Sequence, residues 1–454
     1  MNPSNPNCFL KWFRTIGPGI IVASVVLGPG SILTSSKVGC QYGYSMLWVL
    51  VAAVVLMIGM TALAARLGVS TEKTLCSELA DRIGRPFASM VGIVLFLVVA
   101  SFQSSNNMAV VTSIESVLPS DSAASPTNAT KTTLIVLLVL FNTVIIATLF
   151  GLKSLYKPLE RLMKVLLGVM IVGFGANLFL AGPSLSQVLS GLVPRIPSEL
   201  AGGFWPRLDG TGQIVDPLWA IQGLVATTFS VAGAFYQSYL AREKGWTSTQ
   251  LKQGLVDSIV GISVLGACSS MIMITSATIL HGTMSPHELR SAADVARQLE
   301  PLFGPAATIL FSCGIFAACF SPFLINAMIG GLLLADGLGL GNSMDSPWSK
   351  TLTVAAMLFG MAVAIWATIA GENPVGVIIF AQALTVLGSP LLALSLLYLA
   401  TRRDVRDRVS CPAWLIGVCS LGCVVTLVLA TRTACKLWLQ TAQVPAGIHI
   451  GANV

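Results

Sequence analysis

Charge is scarce in this sequence: 26 Lys and Arg and 19 Asp and Glu among 454 residues, 10% in all. A soluble globular chain carries about 25%, so this one has too few charges to cover a water-facing surface. A cytosolic enzyme, a disordered scaffold and a nucleic-acid binder are excluded on that ground, the last despite a net charge of +7. Histidine is rarer still. His281 and His287 fall in one expected loop and His449 lies near the end, which is too scattered for a metal cluster. Ten cysteines are present but no C-x-x-C pair, so neither a disulfide framework nor a zinc site is indicated; they read as small apolar packing residues. No nucleophile–base constellation, phosphate loop or cofactor motif occurs, so neither an enzyme nor a cofactor is expected.

What the chain has in abundance is apolar length: 54% hydrophobic residues and a mean hydropathy of +0.82. Crossing a bilayer takes about 20 apolar residues. Eleven such runs occur, near 17–41, 46–68, 88–112, 132–151, 160–181, 217–240, 254–280, 303–334, 351–371, 374–400 and 412–431. Only helices and closed barrels satisfy their backbone in lipid, and these runs are too long and continuous for barrel strands. The expectation is an all-α, multi-pass integral membrane protein whose constant partner is the lipid bilayer.

Orientation follows from the excess of Lys and Arg in cytoplasmic segments. With the N-terminus cytoplasmic, 18 of the 26 basic residues fall inside, among them Lys73, Arg82, Arg85, Arg242, Lys350 and Arg402 to Arg408. Eleven spans then leave the C-terminus outside, in a plasma or bacterial inner membrane. No cleavable signal is expected, since the first apolar run is too long for an h-region. Residues 1–16 form a cytoplasmic segment, 182–216 an outer loop, and 432–454 a tail. Oligomeric state is left open.

Two of the runs carry interruptions. The first contains Gly28-Pro29-Gly30-Ser31 in its middle, where a missing donor and missing side chains favour unwinding. A plain proline kink is the simpler reading. In secondary transporters such breaks line the substrate site at mid-membrane. The sixth run has a small stretch, Ser230 to Ala234 with Gly233, where unwinding is cheap though no proline enforces it. Close helix packing explains the same residues equally well.

Gly17-Pro-Gly opening the first run, the Pro-Gly break ten residues on, and Tyr42-Gly-Tyr-Ser-Met-Leu-Trp48 entering the second resemble the Nramp family of divalent-metal transporters. So do Ala65-Arg-Leu-Gly, Gly151-Leu-Lys-Ser-Leu-Tyr-Lys-Pro-Leu-Glu160, Leu178-Phe-Leu-Ala-Gly-Pro183, Ala381-Gln382-Ala and Ser389-Pro390-Leu, in order along nearly the whole chain. The resemblance implies a LeuT-type fold: two inverted five-helix repeats, 17–181 and 217–400, an eleventh helix within 401–431, and alternating access.

The same resemblance marks departures. Where the family has Asp-Pro-Gly-Asn, whose Asp and Asn hold the metal, this sequence has Gly28-Pro29-Gly30-Ser31. Ser230, Val231 and Ala232 stand where the family has Met-Pro-His. Gln103 and Asn106 replace the acids of an Asp-x-x-Glu pair associated with proton transfer, and Lys37 falls where a further acid is usual. Gln382 matches a glutamine found near the metal. A dication without a carboxylate is left uncompensated, and amides and hydroxyls do not exchange protons near neutral pH.

The expected substrate-binding residues are therefore Gly28, Gly30, Ser31, Thr227, Ser230, Gly233 and Gln382, with Lys37 and Asp257 as possible gate residues and no metal ligand assigned. Three readings compete. A secondary transporter of a neutral or anionic small solute follows from the missing carboxylates. A divalent-cation transporter, for example of Mg²⁺ kept largely hydrated, follows from family likeness. A non-transporting sensor or scaffold is the third.

Overall fold

The structure, a computed structural model, describes residues 28–118, 128–150, 165, 168–169, 171–197, 203–210, 212–408 and 411–443. Among them, eight helices are long and apolar enough to cross a membrane, nine if one bent pair is a single span. The part of the first run before Gly28 and the loop 151–164 lie outside the described residues.

The first repeat contributes α1 (Pro29–Tyr42), α2 (Leu47–Ser70), the short α3 (Leu75–Arg82), α4 (Arg85–Glu115) and α5 (Asn128–Phe150). Then α6 (Ile171–Ala181) and α7 (Leu185–Gly191) meet at 119°. The sixth run is split into α8 (Trp219–Thr228) and α9 (Val231–Glu243). Beyond it come α10 (Ser248–Ile279), α11 (Ala307–Leu338), α12 (Pro347–Ala370), α13 (Pro374–Leu384), α14 (Ser389–Ala400), α15 (Arg403–Arg408) and α16 (Ala413–Gln443).

Local chemistry explains most boundaries. Thr74 caps α3 by accepting from the Ser77 amide at 3.4 Å, and Glu78 and Arg82 match opposite ends of its dipole. Asn373 caps α13, with Pro374 as its first residue. Three boundaries differ from the sequence expectation. The tenth run is broken by a 3₁₀ turn at Thr385–Leu387, ahead of Pro390, which has no N–H to continue the ladder. Residues 182–216 are not a plain loop: they hold α7 and a two-stranded hairpin pairing Arg207 with Val215. Helix α16 passes residue 432 and ends at Gln443, because Arg432 and Lys436 both reach the buried carboxylate of Asp216.

The core is built by α11 lying against α4 and α12, α1 against α10, and α9 against α2. Small residues set the closest crossings. A Cβ on Gly92 of α4 would come 3.2 Å from the Gly337 Cα of α11, the approach that membrane helices use to pack without a hydrophobic driving force.

One end of the bundle gathers basic residues into ion pairs: Arg82 with Asp404 at 2.5 Å, Arg408 with Glu72 at 3.1 Å and Lys73 with Asp81 at 2.6 Å. The guanidinium of Arg82 holds the Asp404 carboxyl below its usual range. At the opposite end, Tyr42 donates to the Pro217 carbonyl, and Ser276 Oγ donates to the Ser36 carbonyl at 2.6 Å.

Candidate functional site

Within the first run, α1 begins at Pro29, with Gly28 as an extended N-cap (φ −84°, ψ 172°) and no side chain capping it. Pro29 has no N–H and the Ser31 amide turns back to the Gly28 carbonyl at 3.1 Å, so the positive pole of this terminus is presented mainly by the Gly30 amide. In the sixth run, α8 stops at Thr228 because Phe229 (φ −101°, ψ 72°) and Ser230 (φ −85°, ψ 98°) leave helical geometry. Ser230 then caps α9, its Oγ accepting from the Gly233 amide at 3.2 Å. The unwound stretch is thus Phe229–Ser230 and not Ser230 to Ala234: Val231, Ala232, Gly233 and Ala234 are all helical. A serine cap does here what a proline was not available to do.

Both breaks open onto one cavity of about 270 Å³. Gly28, Gly30, Ser31, Thr227, Ser230, Gly233 and Gln382 all line it, and so does Asn106. Gln103 does not; it is fully buried and donates to the Phe323 carbonyl at 2.5 Å. Neither Lys37 nor Asp257 reaches the cavity wall. Lys37 sits on α1 beside Ser36 and Gly39, whose neighbours on α10 are Ser276 and Met273. Asp257 lies some 16–19 residues earlier on that helix, about 25 Å away at 1.5 Å per residue, so the two lie toward different ends of the bundle.

None of the described residues lining the cavity is charged. Its polar groups are hydroxyls and amides, set among Met57, Met328, Met344, Phe102 and other apolar side chains. Gln382 donates to Ser105 Oγ at 2.8 Å, while its Oε1 and the Asn106 Nδ2 have no hydrogen-bond partner. A Cβ on Gly30 would overlap the Gln382 amide, so this glycine is what lets α13 bring that amide against the first break. Behind Asn106, the neutral chain continues: Asn107 donates to the Gln103 carbonyl at 2.8 Å, and Asn142 donates to Asn107 Oδ1 at 2.7 Å. Among the described residues, no group of three or more His, Cys, Asp or Glu is placed to hold a metal ion.

Sequence reasoning missed Thr61 and Asn326, which also line the cavity. Each is a single polar residue in an apolar run, a signal that was legible but not distinctive. It also missed Asp336, 2% exposed near the end of α11. Its place in an Ala-Asp-Gly-Leu-Gly stretch reads as a loop, whereas the helix continues to Leu338.

A family model described as "Natural resistance-associated macrophage protein-like", Nramp, matches residues 19–436. The chain is 24% identical over 405 residues to a "Divalent metal cation transporter MntH" of Deinococcus radiodurans, covering 86% of this chain and 82% of that protein. A protein of the same name from Listeria welshimeri is 21% identical over 420 residues, 91% of this chain and 87% of its own. Among solved structures, the manganese transporter of Eremococcus coleocola, in complex with an aromatic bis-isothiourea compound, superposes with a TM-score of 0.73. That match has 17% identity and covers 98% of this chain and 91% of the other. The fold is the LeuT type, all-α and membrane-spanning.

Proposed function

This chain belongs to the Nramp family of divalent-metal transporters, and we propose that it carries a divalent cation by alternating access, with much of the ion's water shell retained. Gly28, Gly30, Ser31, Thr227, Ser230, Gly233 and Gln382 form the substrate site, and the basic end of the bundle faces the cytoplasm, as the charge asymmetry argues. The observation that carries this reading is the neutral, oxygen-bearing cavity between the start of α1 and the broken sixth span, in a chain that is similar to divalent-cation transporters over most of its length. A cation with six waters at about 30 Å³ each fills roughly 180 Å³, which the cavity accommodates. Retained water supplies the charge compensation that an absent carboxylate does not, and the free carbonyls ending α8 present the negative pole of that half-helix. Mg²⁺ suits this site because it dehydrates reluctantly and takes oxygen ligands. Mn²⁺ and Fe²⁺ lose the carboxylate and soft sulfur donors, contributed in the family by Asp and Met, at the positions held here by Gly28 and Ser230. With Gln103 and Asn106 neutral, the proton coupling associated with those positions is lost as well.

A second reading rests on a separate observation. The uncapped N-terminus of α1 faces a cavity without acids, an arrangement that suits a neutral or anionic solute. Flux into proteoliposomes separates the two. Saturable Mg²⁺ uptake, with Mn²⁺ competing no more than a few-fold better, is the expected result. Uptake of an anionic or uncharged solute from a panel, with no divalent flux, overturns the cation reading in favour of the second.

A further inference from the structure

Half-helix α9 is a lever with distinct attachments at its two ends. It begins at the non-helical Phe229–Ser230 pair, whose backbone can absorb a change of direction, while Ser230 stays tied to α9 by its cap and by its carbonyl, which accepts from the Ala234 amide at 3.0 Å. Thirteen residues long, it spans about 20 Å. One face carries Tyr236, Gln237 and Leu240 into the cavity wall. Tyr239 points elsewhere, into the junction with α3 and α11.

At that junction the Tyr239 hydroxyl donates to Asp336 Oδ2 at 2.6 Å and accepts from the Cys76 amide at 3.2 Å. Ser77 Oγ donates to Asp336 Oδ1 at 2.9 Å, and Arg85 donates to the Asp336 backbone carbonyl at 3.0 Å. Both carboxylate oxygens are thus met, at a residue 2% exposed, and one hydroxyl is the shared member. Hydrogen bonds to a buried charge are the strong ones. A close backbone approach completes the docking: a Cβ on Gly68 of α2 would come 2.8 Å from the Ser238 Cα.

We propose that Asp336 is a positioning residue for transport: acting through Tyr239, it pins the free end of α9 to α3 and α11, and release of this pin lets α9 swing and open the cavity at the basic end. The proposal rests on the alternating-access reading but not on the identity of the ion. Motion of α9 about its hinge moves Tyr236, Gln237 and Leu240 together, so the pin controls the cavity wall without touching the substrate.

The junction contains its own reporter. Cys76 is fully buried beneath Tyr239, and burial pushes its thiol up from the usual range, so it is both inaccessible and protonated while the pin holds. The test is the rate of Cys76 alkylation by a maleimide in the purified full-length protein, resolved by peptide mass spectrometry, alongside Mg²⁺ uptake kinetics. Tyr239→Phe removes one hydroxyl and keeps the ring. Gly68→Ala crowds α9 off its seat without removing any hydrogen-bonding group. Loss of one charge-assisted bond corresponds to at least about tenfold in the docking equilibrium, so Tyr239→Phe should alkylate about tenfold faster, and Gly68→Ala should also alkylate faster. Because the pin opens in each transport cycle, alkylation of the reconstituted wild type should rise with Mg²⁺ turnover. Unchanged alkylation in both folded variants overturns the pin. Faster alkylation in the variants with no response to turnover in the wild type also overturns it, leaving the junction purely structural. A wild-type protein without Mg²⁺ flux refutes the cation reading alone, because alkylation of Cys76 still decides the pin.

Discussion

Gly28 is the residue at which this site departs furthest from a transition-metal site. Its φ of −84° is open to any residue, and among the described residues a Cβ there would meet Pro322, its Cγ at 3.6 Å and its Cβ at 3.9 Å, both ordinary contacts. The backbone therefore accepts an acid it does not carry. Ser230 holds the second position; replacing it removes a cap worth about 1 kcal/mol, which the protein should tolerate. The double variant Gly28→Asp with Ser230→Met should consequently bind Mn²⁺ at least about tenfold more tightly than the parent, measured by calorimetry. A folded double variant with no Mn²⁺ heat would mean that the two breaks do not present the geometry a metal site needs.

Among the helices, the two halves of the sixth span are held differently. The free end of α9 is held by hydrogen bonds, whereas the start of α8 is anchored by charge. Asp216, just before α8, pairs with Arg432 of α16 at 2.6 Å, both side chains 2–3% exposed. Arg432 also donates to the Phe204 carbonyl at 2.7 Å. Lys436 approaches the same carboxylate at 3.8 Å and lies 3.2 Å from the Trp219 ring centroid. Removing one member of a buried pair strands the other, at about 3–5 kcal/mol, but Lys436 leaves Asp216 a second cation, whereas Arg432 has no second carboxylate partner among the described ion pairs. Asp216→Leu should therefore lower the thermal midpoint in detergent clearly more than Arg432→Ala. Equal midpoints for the two would show that this pair does not anchor the helix.

For the whole molecule, the sequence and the architecture agree where apolar length decides the outcome. The long runs become the spans because a bilayer leaves a helix no alternative, and Pro29 starts α1 because it cannot continue one. The seven candidate positions line a common cavity in the structure; the interrupted runs pointed to the two breaks, while only the family resemblance added Gln382, since no spacing in the sequence places it beside Gly30. Less was legible where one side chain settles the matter. The exact break in the sixth span depends on the Ser230 cap, and the length of α16 depends on Asp216, distant in sequence. Asp336 was hidden because helix or loop at 334–338 is decided by tertiary partners. Scarcity of charge thus identified a membrane protein directly, while the few buried charges that matter, at 216, 336 and 432, needed three dimensions.

The central claim is that a divalent cation crosses through a site with neither a carboxylate nor a proton carrier. Proteoliposomes loaded with a Mg²⁺ indicator and a pH indicator test both halves at once. Saturable Mg²⁺ entry with internal pH unchanged is the expected result; Mn²⁺ entry accompanied by internal acidification would contradict it.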